Sequence, residues 1–311
     1  MIRIKLYIIG NGFDLAHKLP TLYWDFRTYL YNVYPDFLNE FEQHYYIYPN
    51  ESDESKREVL WNCFEANLAN INEDIIIEDA TYMDLGLESG DYGIEETLRL
   101  YFREEYKYIN SLEKYLKQWV RTVKLRDTKP HTSFVDKNNN DFYITFNYTS
   151  VLENVYGIDP ARIIHIHGSL HEYDDDPILG HGNLNRIQDI KAKRHQAETY
   201  YNEKEMSICK VVEEYYQTTF KNVQNYMYKL NRLSKYDIKE IVVVGHSVAG
   251  VDIPYFKRIH EIFYKKPHWT VYYFKDSEKE SIALALEEQG IYKNKYSLLN
   301  CNDFYNLLQN S

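Results

Sequence analysis

Six side chains in this chain have types and positions suited to chemistry. Asn147 directly follows the apolar run Phe142–Phe146, and His167 closes the run Arg162–His167 just before Gly168. His246 and Ser247 follow Ile241–Val244 and Gly245, with Asp252 shortly after. Asp14 ends the segment Gly10-Asn11-Gly12-Phe13-Asp14, which itself follows the apolar stretch Ile4–Ile9. A histidine titrates near neutral pH and can accept a proton from a reacting group. An asparagine offers a donor and an acceptor on one short side chain. Paired glycines let a ligand approach the backbone, which is how phosphates are often held after a buried strand. Each has a plainer role as well. Two glycines also make a tight turn, an asparagine after a strand caps a helix or shapes a turn, and a strand histidine is often simply hydrogen-bonded in place. His165 and His167 share one face of their run. His165 would lie further into the sheet, so the chemistry is expected at His167.

The elements that must position these residues are strands alternating with helices. Ile4–Ile9 is nearly continuous and rich in β-branched residues, the pattern of a strand buried on both faces. Phe142–Phe146, Arg162–His167, Ile241–Val244 and Trp269–Phe274 read as further strands, with Pro177–Leu179 a short candidate. Ser150–Tyr156 reads as a two-turn helix between two of them, and that strand–helix–strand unit predicts a parallel pair. Helices are expected from Pro254 to about Tyr264 and over Glu278–Glu288, and two more within Arg186–Ser234 covering the sheet. The fold class that follows is α/β, a Rossmann-like, mostly parallel sheet with helices on both faces. Four strands then end in glycine or asparagine turns, at 10–14, 147–149, 167–169 and 245–252. The carboxyl ends of parallel strands lie along one edge, where such folds bind ligands, so the four turns should converge on one crevice.

The sheet domain is expected to comprise residues 1–35 and 128–311, with residues 36–127 a helical insertion. Val59, Leu60, Cys63, Phe64, Asn67 and Leu68 form one helical stripe there. Leu98, Tyr101, Tyr106, Ile109, Leu112, Leu116 and Val120 form another. Met83–Gly93, with three glycines, reads as a surface loop. Trp61 and Glu65 stand one helical turn apart and can point the same way; the plain reading is a solvated acid beside a packed ring. No internal repeat or low-complexity tract interrupts the 311 residues.

Composition excludes several classes. The hydrophobic share is 44% and the charged share 27%, ordinary for a soluble globular chain. A net charge of −11 disfavours non-specific attraction to nucleic acid or to an anionic membrane. The 32 tyrosines fit packed rings with wet hydroxyls, and Tyr-rich helices could pair two copies in a homo-oligomer. Three scattered cysteines, Cys63, Cys209 and Cys301, make neither a disulfide framework nor a Cys-x-x-Cys metal site. There is no apolar run of membrane-spanning length and no signal-peptide pattern, so a cytoplasmic protein is expected.

Two hydrolase patterns compete with a ligand-binding crevice. Gly245-His246-Ser247-Val248-Ala249 resembles a nucleophile elbow, yet an acid and a histidine should follow such a serine, and only 64 residues remain after it. His165, His167, His171 and His181 could suggest a metal site, but no carboxylate joins them at tight spacing. Neither pattern is the favoured one, and no metal is expected.

Several motifs together resemble a known family. Ile8-Ile9-Gly10-Asn11-Gly12-Phe13-Asp14-Leu15-Ala16-His17, with Leu19-Pro20-Thr21, is similar to the opening signature of the AbiH family of bacteriophage abortive-infection proteins. Phe146-Asn147-Tyr148-Thr149, Ile166-His167-Gly168, Leu179-Gly180-His181-Gly182, Gly245-His246-Ser247 with Asp252, and Trp61 followed by Glu65 resemble its later motifs. More loosely, the same ordered set resembles the sirtuin-like NAD-binding superfamily. That resemblance implies a dinucleotide ligand, NAD, as substrate or ligand. Its phosphates would lie on the loop Gly10, Asn11, Gly12, Phe13 and Asp14. Asn147 and His167 would flank the nicotinamide ribose as the catalytic pair. Tyr148, Gly168, Gly245, His246, Ser247 and Asp252 would be further contacts. The first loop reads Gly-Asn-Gly where sirtuins have Gly-Ala-Gly, and the zinc-binding cysteine quartet is missing, which argues against lysine deacylation. The implied activity is NAD glycohydrolysis in phage defence, with a phage-encoded trigger or an accessory defence protein as partner. The alternative is a nucleotide-binding sensor or interaction module without turnover.

Overall fold

The computed structural model describes residues 4–74, 76, 100, 108–171, 174–263 and 267–305. Its centre is a six-stranded sheet: β1 (Ile4–Ile9), β2 (Phe142–Thr145), β3 (Ile163–His165), β4 (Ile238–Val244), β5 (His268–Tyr273) and β6 (Tyr296–Asn300). Every pairing is parallel, in the order β3-β2-β1-β4-β5-β6. This is the Rossmann strand order, whose direction reverses between β1 and β4.

The alternation of side chains explains why β1 reads as continuously apolar. Leu6 and Ile8 join one core with Ile144, Ile164, Ile241, Val243, Trp269 and Val271. Tyr7 and Ile9 join a second core on the opposite face with Tyr143, Ile163, Val242 and Val244. A central strand between two cores has no polar face. On the first face the 3-10 segment Val223–Lys235 and the helix Ile253–Ile262 supply Val223, Leu230, Leu233, Tyr255, Phe256 and Ile259.

Two expectations about strands change. Tyr296–Asn300 is a strand the sequence pattern did not indicate, because it lies at the sheet edge and buries none of its residues fully. Pro177–Leu179 is not a strand, although the Ile178 N–H donates to the His167 carbonyl at 3.0 Å.

The chain divides into two compact units: Met1–Leu22 with Leu116–Ile178 and Asn222–Ser311, and Tyr23–Tyr115 with Leu179–Lys221. The second takes in 23–35 and 179–221, which sequence had assigned to the sheet domain. The physical reason for the latter is local. The helices Leu184–Thr199 and Glu203–Thr218 pack on each other. The His181 N–H donates to Thr219 O and the Lys221 N–H to His181 O, both at 2.9 Å. Of the Arg186–Ser234 stretch, it is Val223–Lys235 that packs on the sheet.

Within this second unit, Glu42 takes a two-pronged contact from Arg27 at 2.6 and 3.0 Å and the Trp61 Nε1–H at 2.7 Å. Glu65 is not a solvated acid. It binds the fully buried Lys221 ammonium at 3.1 and 3.2 Å and accepts the Tyr23 hydroxyl. Such buried pairs must stay whole, since removing one partner strands a charge at a cost of about 3–5 kcal/mol. Met83–Gly93 and the Leu98–Tyr106 part of the second stripe lie outside the described residues, apart from Leu100. Among the described residues no helix is long and apolar enough to cross a membrane.

Candidate functional site

The turns after β1 and β4 are pressed together. The Gly10 N–H donates to Val244 O at 3.0 Å, the Gly12 N–H to Gly245 O at 2.8 Å and the Phe13 N–H to Gly10 O at 2.9 Å. A Cβ on Gly10 would stand 2.4 Å from Gly245 O and 2.7 Å from His246 Cα. Gly245 has a φ of +68°, and its Cβ would meet Phe13 N at 2.3 Å. These glycines let two backbones touch, and the amides of residues 10, 12 and 13 are donors within the protein. Asn11 turns aside and donates from Nδ2 to Thr21 O at 2.8 Å. Phe13 is buried beside His17 and Tyr156.

Asp14 is 1% exposed and anchors a polar cluster. It accepts Asn147 Nδ2–H on Oδ1 at 2.8 Å and the Thr149 hydroxyl on Oδ2 at 2.6 Å. Burial pushes its carboxyl up to about 6, against those two hydrogen bonds, which favour the charged form. Asn147 also donates to Gly10 O at 3.2 Å, while its own Oδ1 is buried and unpartnered among the described residues. Thr149 serves Asp14, and the Ser150 side chain makes no cap on Val151–Asn154. The Tyr148 hydroxyl donates to Ile178 O at 2.8 Å.

On the other side of Phe146 sits a second cluster. Asp252 Oδ1 lies 3.0 Å from His167 Nε2, and Asp252 Oδ2 lies 3.4 Å from His246 Nε2. His167 Nε2 and Asp252 Oδ1 are in contact without the alignment of a hydrogen bond. The Val248 N–H donates to His246 Nδ1 at 2.9 Å, so the neutral His246 carries its proton on Nε2, facing the carboxylate. The rings are held by aromatic edges: Phe146 packs on His167 and His246 at 5.0 and 4.5 Å, Tyr255 on His167 and Phe256 on His246. Asp252 ends the 3-10 turn Gly250–Asp252 and enters Ile253–Ile262 in a helical backbone conformation, and its side chain makes no capping bond. Its carboxylate instead faces two imidazoles. The turn that delivers it is strained: Val248, β-branched and buried, has a φ of +53°.

His165 is an ordinary structural pair, its Nε2 2.6 Å from Glu153 Oε1 and its Nδ1 3.3 Å from Asn147 O. Ser247 is exposed, and among the described residues no imidazole reaches its hydroxyl. Gly168 follows His167, and the next N–H, of Ser169, donates to Asp175 O at 3.0 Å. His181 belongs to the other unit. It is fully buried, with Nε2–H on Tyr216 O at 3.1 Å and Nδ1 accepting the Asn183 N–H at 3.1 Å. Burial pushes its imidazole down to about 4. Among the described residues no three His, Cys, Asp or Glu side chains are arranged to hold a metal ion. His246 is also unsuited as a ligand through Nε2, since Nδ1 already accepts an N–H.

The sequence-indicated residues therefore fall into two groups, Asp14–Asn147 and His167–Asp252–His246, and no hydrogen bond joins the Asn147 side chain to His167. The sequence brings the turns at 167–169 and 245–252 to one edge, with His246 and Asp252 as further ligand contacts, but does not pair them with His167. The side-chain pairing itself depends on the loop after β4.

A model of the family described as bacteriophage abortive infection AbiH matches residues 6–273, a span that includes both groups. This chain belongs to the AbiH family. No curated protein matches it. Membership ties the protein to phage abortive infection. The stretches at residues 10–14, 146–149, 166–168 and 245–252, read from sequence as similar to AbiH motifs, lie at the ends of the strands, whereas Gly180-His181-Gly182 is built into the other unit.

Proposed function

We propose that this AbiH-family protein is an abortive-infection effector that binds NAD at the carboxyl edge of its sheet and hydrolyses the nicotinamide–ribose bond. The observation that carries the reading is the Asp252 carboxylate, which lies between His167 and His246. An imidazole fixed by a carboxylate beside the turn of a Rossmann-ordered sheet is suited to proton transfer at a bound ligand. The buried, unpartnered Oδ1 of Asn147 adds an acceptor that calls for a hydroxyl or a water.

In this reaction the bond between ribose C1 and the nicotinamide nitrogen breaks, and a water oxygen bonds to C1. The water proton passes to His167, and nicotinamide leaves with the bonding electron pair. The transition state is oxocarbenium-like, as in glycoside hydrolysis generally. Asn147 orients water or ribose hydroxyls, and Asp252 is the positioning residue that steadies His167. Asn147 and His167 would meet through the ligand, because their side chains are not joined.

The test is incubation of purified protein with NAD, with and without phage components, following nicotinamide release. Wild type should release it, and His167→Ala should not. NAD that stays intact in both conditions and in cells where the wild type is toxic overturns the reading. A second reading, nucleotide sensing without turnover, draws on the commitment of the Asn147 amide to Gly10 O and Asp14. Defence that survives His167→Ala alongside tight ADP-ribose binding would favour it.

A further inference from the structure

A cavity of about 390 Å³ opens beside the ends of β2 and β3, within the range of about 300–1,000 Å³ typical of small-molecule sites. One wall is Arg121 with Val120 and Val123, and the others carry Tyr148, Thr149 and His171. The lining holds two groups that can bear positive charge, and no carboxylate among the described residues. Neither the Arg121 guanidinium nor the His171 imidazole has a hydrogen-bond or ion-pair partner among the described residues. The nearby acids are engaged elsewhere: Asp174 with the Ser169 hydroxyl, Asp175 with Lys229 at 2.8 Å, and Asp176 with Lys117. In a chain of net charge −11, an acid-free cavity with an unpaired guanidinium is a local exception.

The obvious alternative place for an anion is the glycine turn, but the amides of residues 10, 12 and 13 already donate to Val244, Gly245 and Gly10. A phosphate seated on those three amides would have to displace their bonds. At the cavity it would meet a guanidinium with its donors open, the group best matched to phosphate geometry. The cavity also abuts the candidate site, because Thr149 lines it while donating to Asp14.

We propose that the cavity between Arg121, Tyr148 and His171 is an anion subsite that takes the diphosphate of a nucleoside diphosphate, with Arg121 as its ion-pairing residue. The inference rests on the reading of the sheet edge as a nucleotide site and moves the phosphates off the glycine turn.

The experiment is calorimetric titration of the full chain with ADP and, separately, with adenosine. Wild type should bind ADP more than tenfold tighter than adenosine. Arg121→Ala should weaken ADP by about 10- to 100-fold, the loss of one charge-assisted contact, and leave adenosine unchanged; Arg121→Lys should restore part of it. Arg121 is exposed, so the fold should survive, and an unchanged melting temperature verifies this. ADP binding that is absent in wild type, or equal in Arg121→Ala, overturns the proposal. The two claims separate cleanly. Arg121-dependent ADP binding without nicotinamide release would sink the hydrolysis and keep the subsite. NAD cleavage with an unchanged KM in Arg121→Ala would do the reverse.

Discussion

His181 and His167 stand in nearly the same sequence setting, each beside a glycine after an apolar stretch, and the protein uses them in opposite ways. His181 has one nitrogen on a backbone carbonyl and the other under a backbone N–H, with no exposure at all. That arrangement fixes a neutral tautomer and penalises charge. His167 is also buried, yet its Nε2 faces a carboxylate that a second imidazole shares. A carboxylate partner can support an added proton, while a carbonyl and an amide together leave no place for one. The partner separates these two histidines, and tertiary structure chooses it; a carboxylate alone is not enough, since His165, paired with Glu153 at 2.6 Å, is structural.

The sharpest way to break this comparison is to truncate both histidines. His167→Ala should lower nicotinamide release by about 100- to 10,000-fold, the span of general base help, with a much smaller change in stability. His181→Ala should do the converse. It leaves the buried Tyr216 carbonyl without its imidazole partner, at a cost of about 1–3 kcal/mol in urea denaturation. Activity per folded molecule should be retained. Equal activity losses in the two variants would dissolve the distinction.

Titration sharpens it further. His181 is held down to about 4 from an ordinary 6.5, so between those values the unfolded chain binds the proton and the folded one does not. Its contribution is complete above pH 6.5 and is lost as pH falls through about 4, amounting to about 3 kcal/mol. Asp14 runs the other way. Its folded value of about 6 stands above the ordinary 3.8, so the folded state holds the extra proton and stability falls as pH rises from 3.8 through about 6, again by about 3 kcal/mol. Denaturation at pH 7 and pH 4 tests both. The advantage of wild type over His181→Gln should shrink at the lower pH, and the balance of wild type against Asp14→Asn should move toward wild type.

These contrasts also mark how far sequence could reach. The strand ends at Asp14, Asn147, His167 and Gly245 were legible because buried parallel strands announce themselves as apolar runs, and parallel order carries their carboxyl ends to one edge. The partition into two units was not. It turns on hydrogen bonds between residues 181 and 219–221 that no periodicity encodes. Glu153 on His165, Thr149 on Asp14 and Asp252 on His167 were equally hidden, each a pairing across separate segments. Arg121 gave no signal at all, since an arginine in the last turn of a helix is what the helix dipole alone would favour.

The smallest effect comes from Asp252 and tests the logic most directly. Asp252→Asn keeps the shape and an acceptor for His246 but removes the charge facing His167. If the carboxylate served its helix, the substitution would cost stability. It does not cap now, and asparagine is as good an N-cap as aspartate, so the melting temperature should hold or rise slightly. Nicotinamide release should nevertheless drop about tenfold, corresponding to roughly 1.4 kcal/mol of transition-state support, with the fall in kcat and not in KM. A variant that loses stability in proportion to its activity would return Asp252 to the helix and leave His167 without its distinguishing partner.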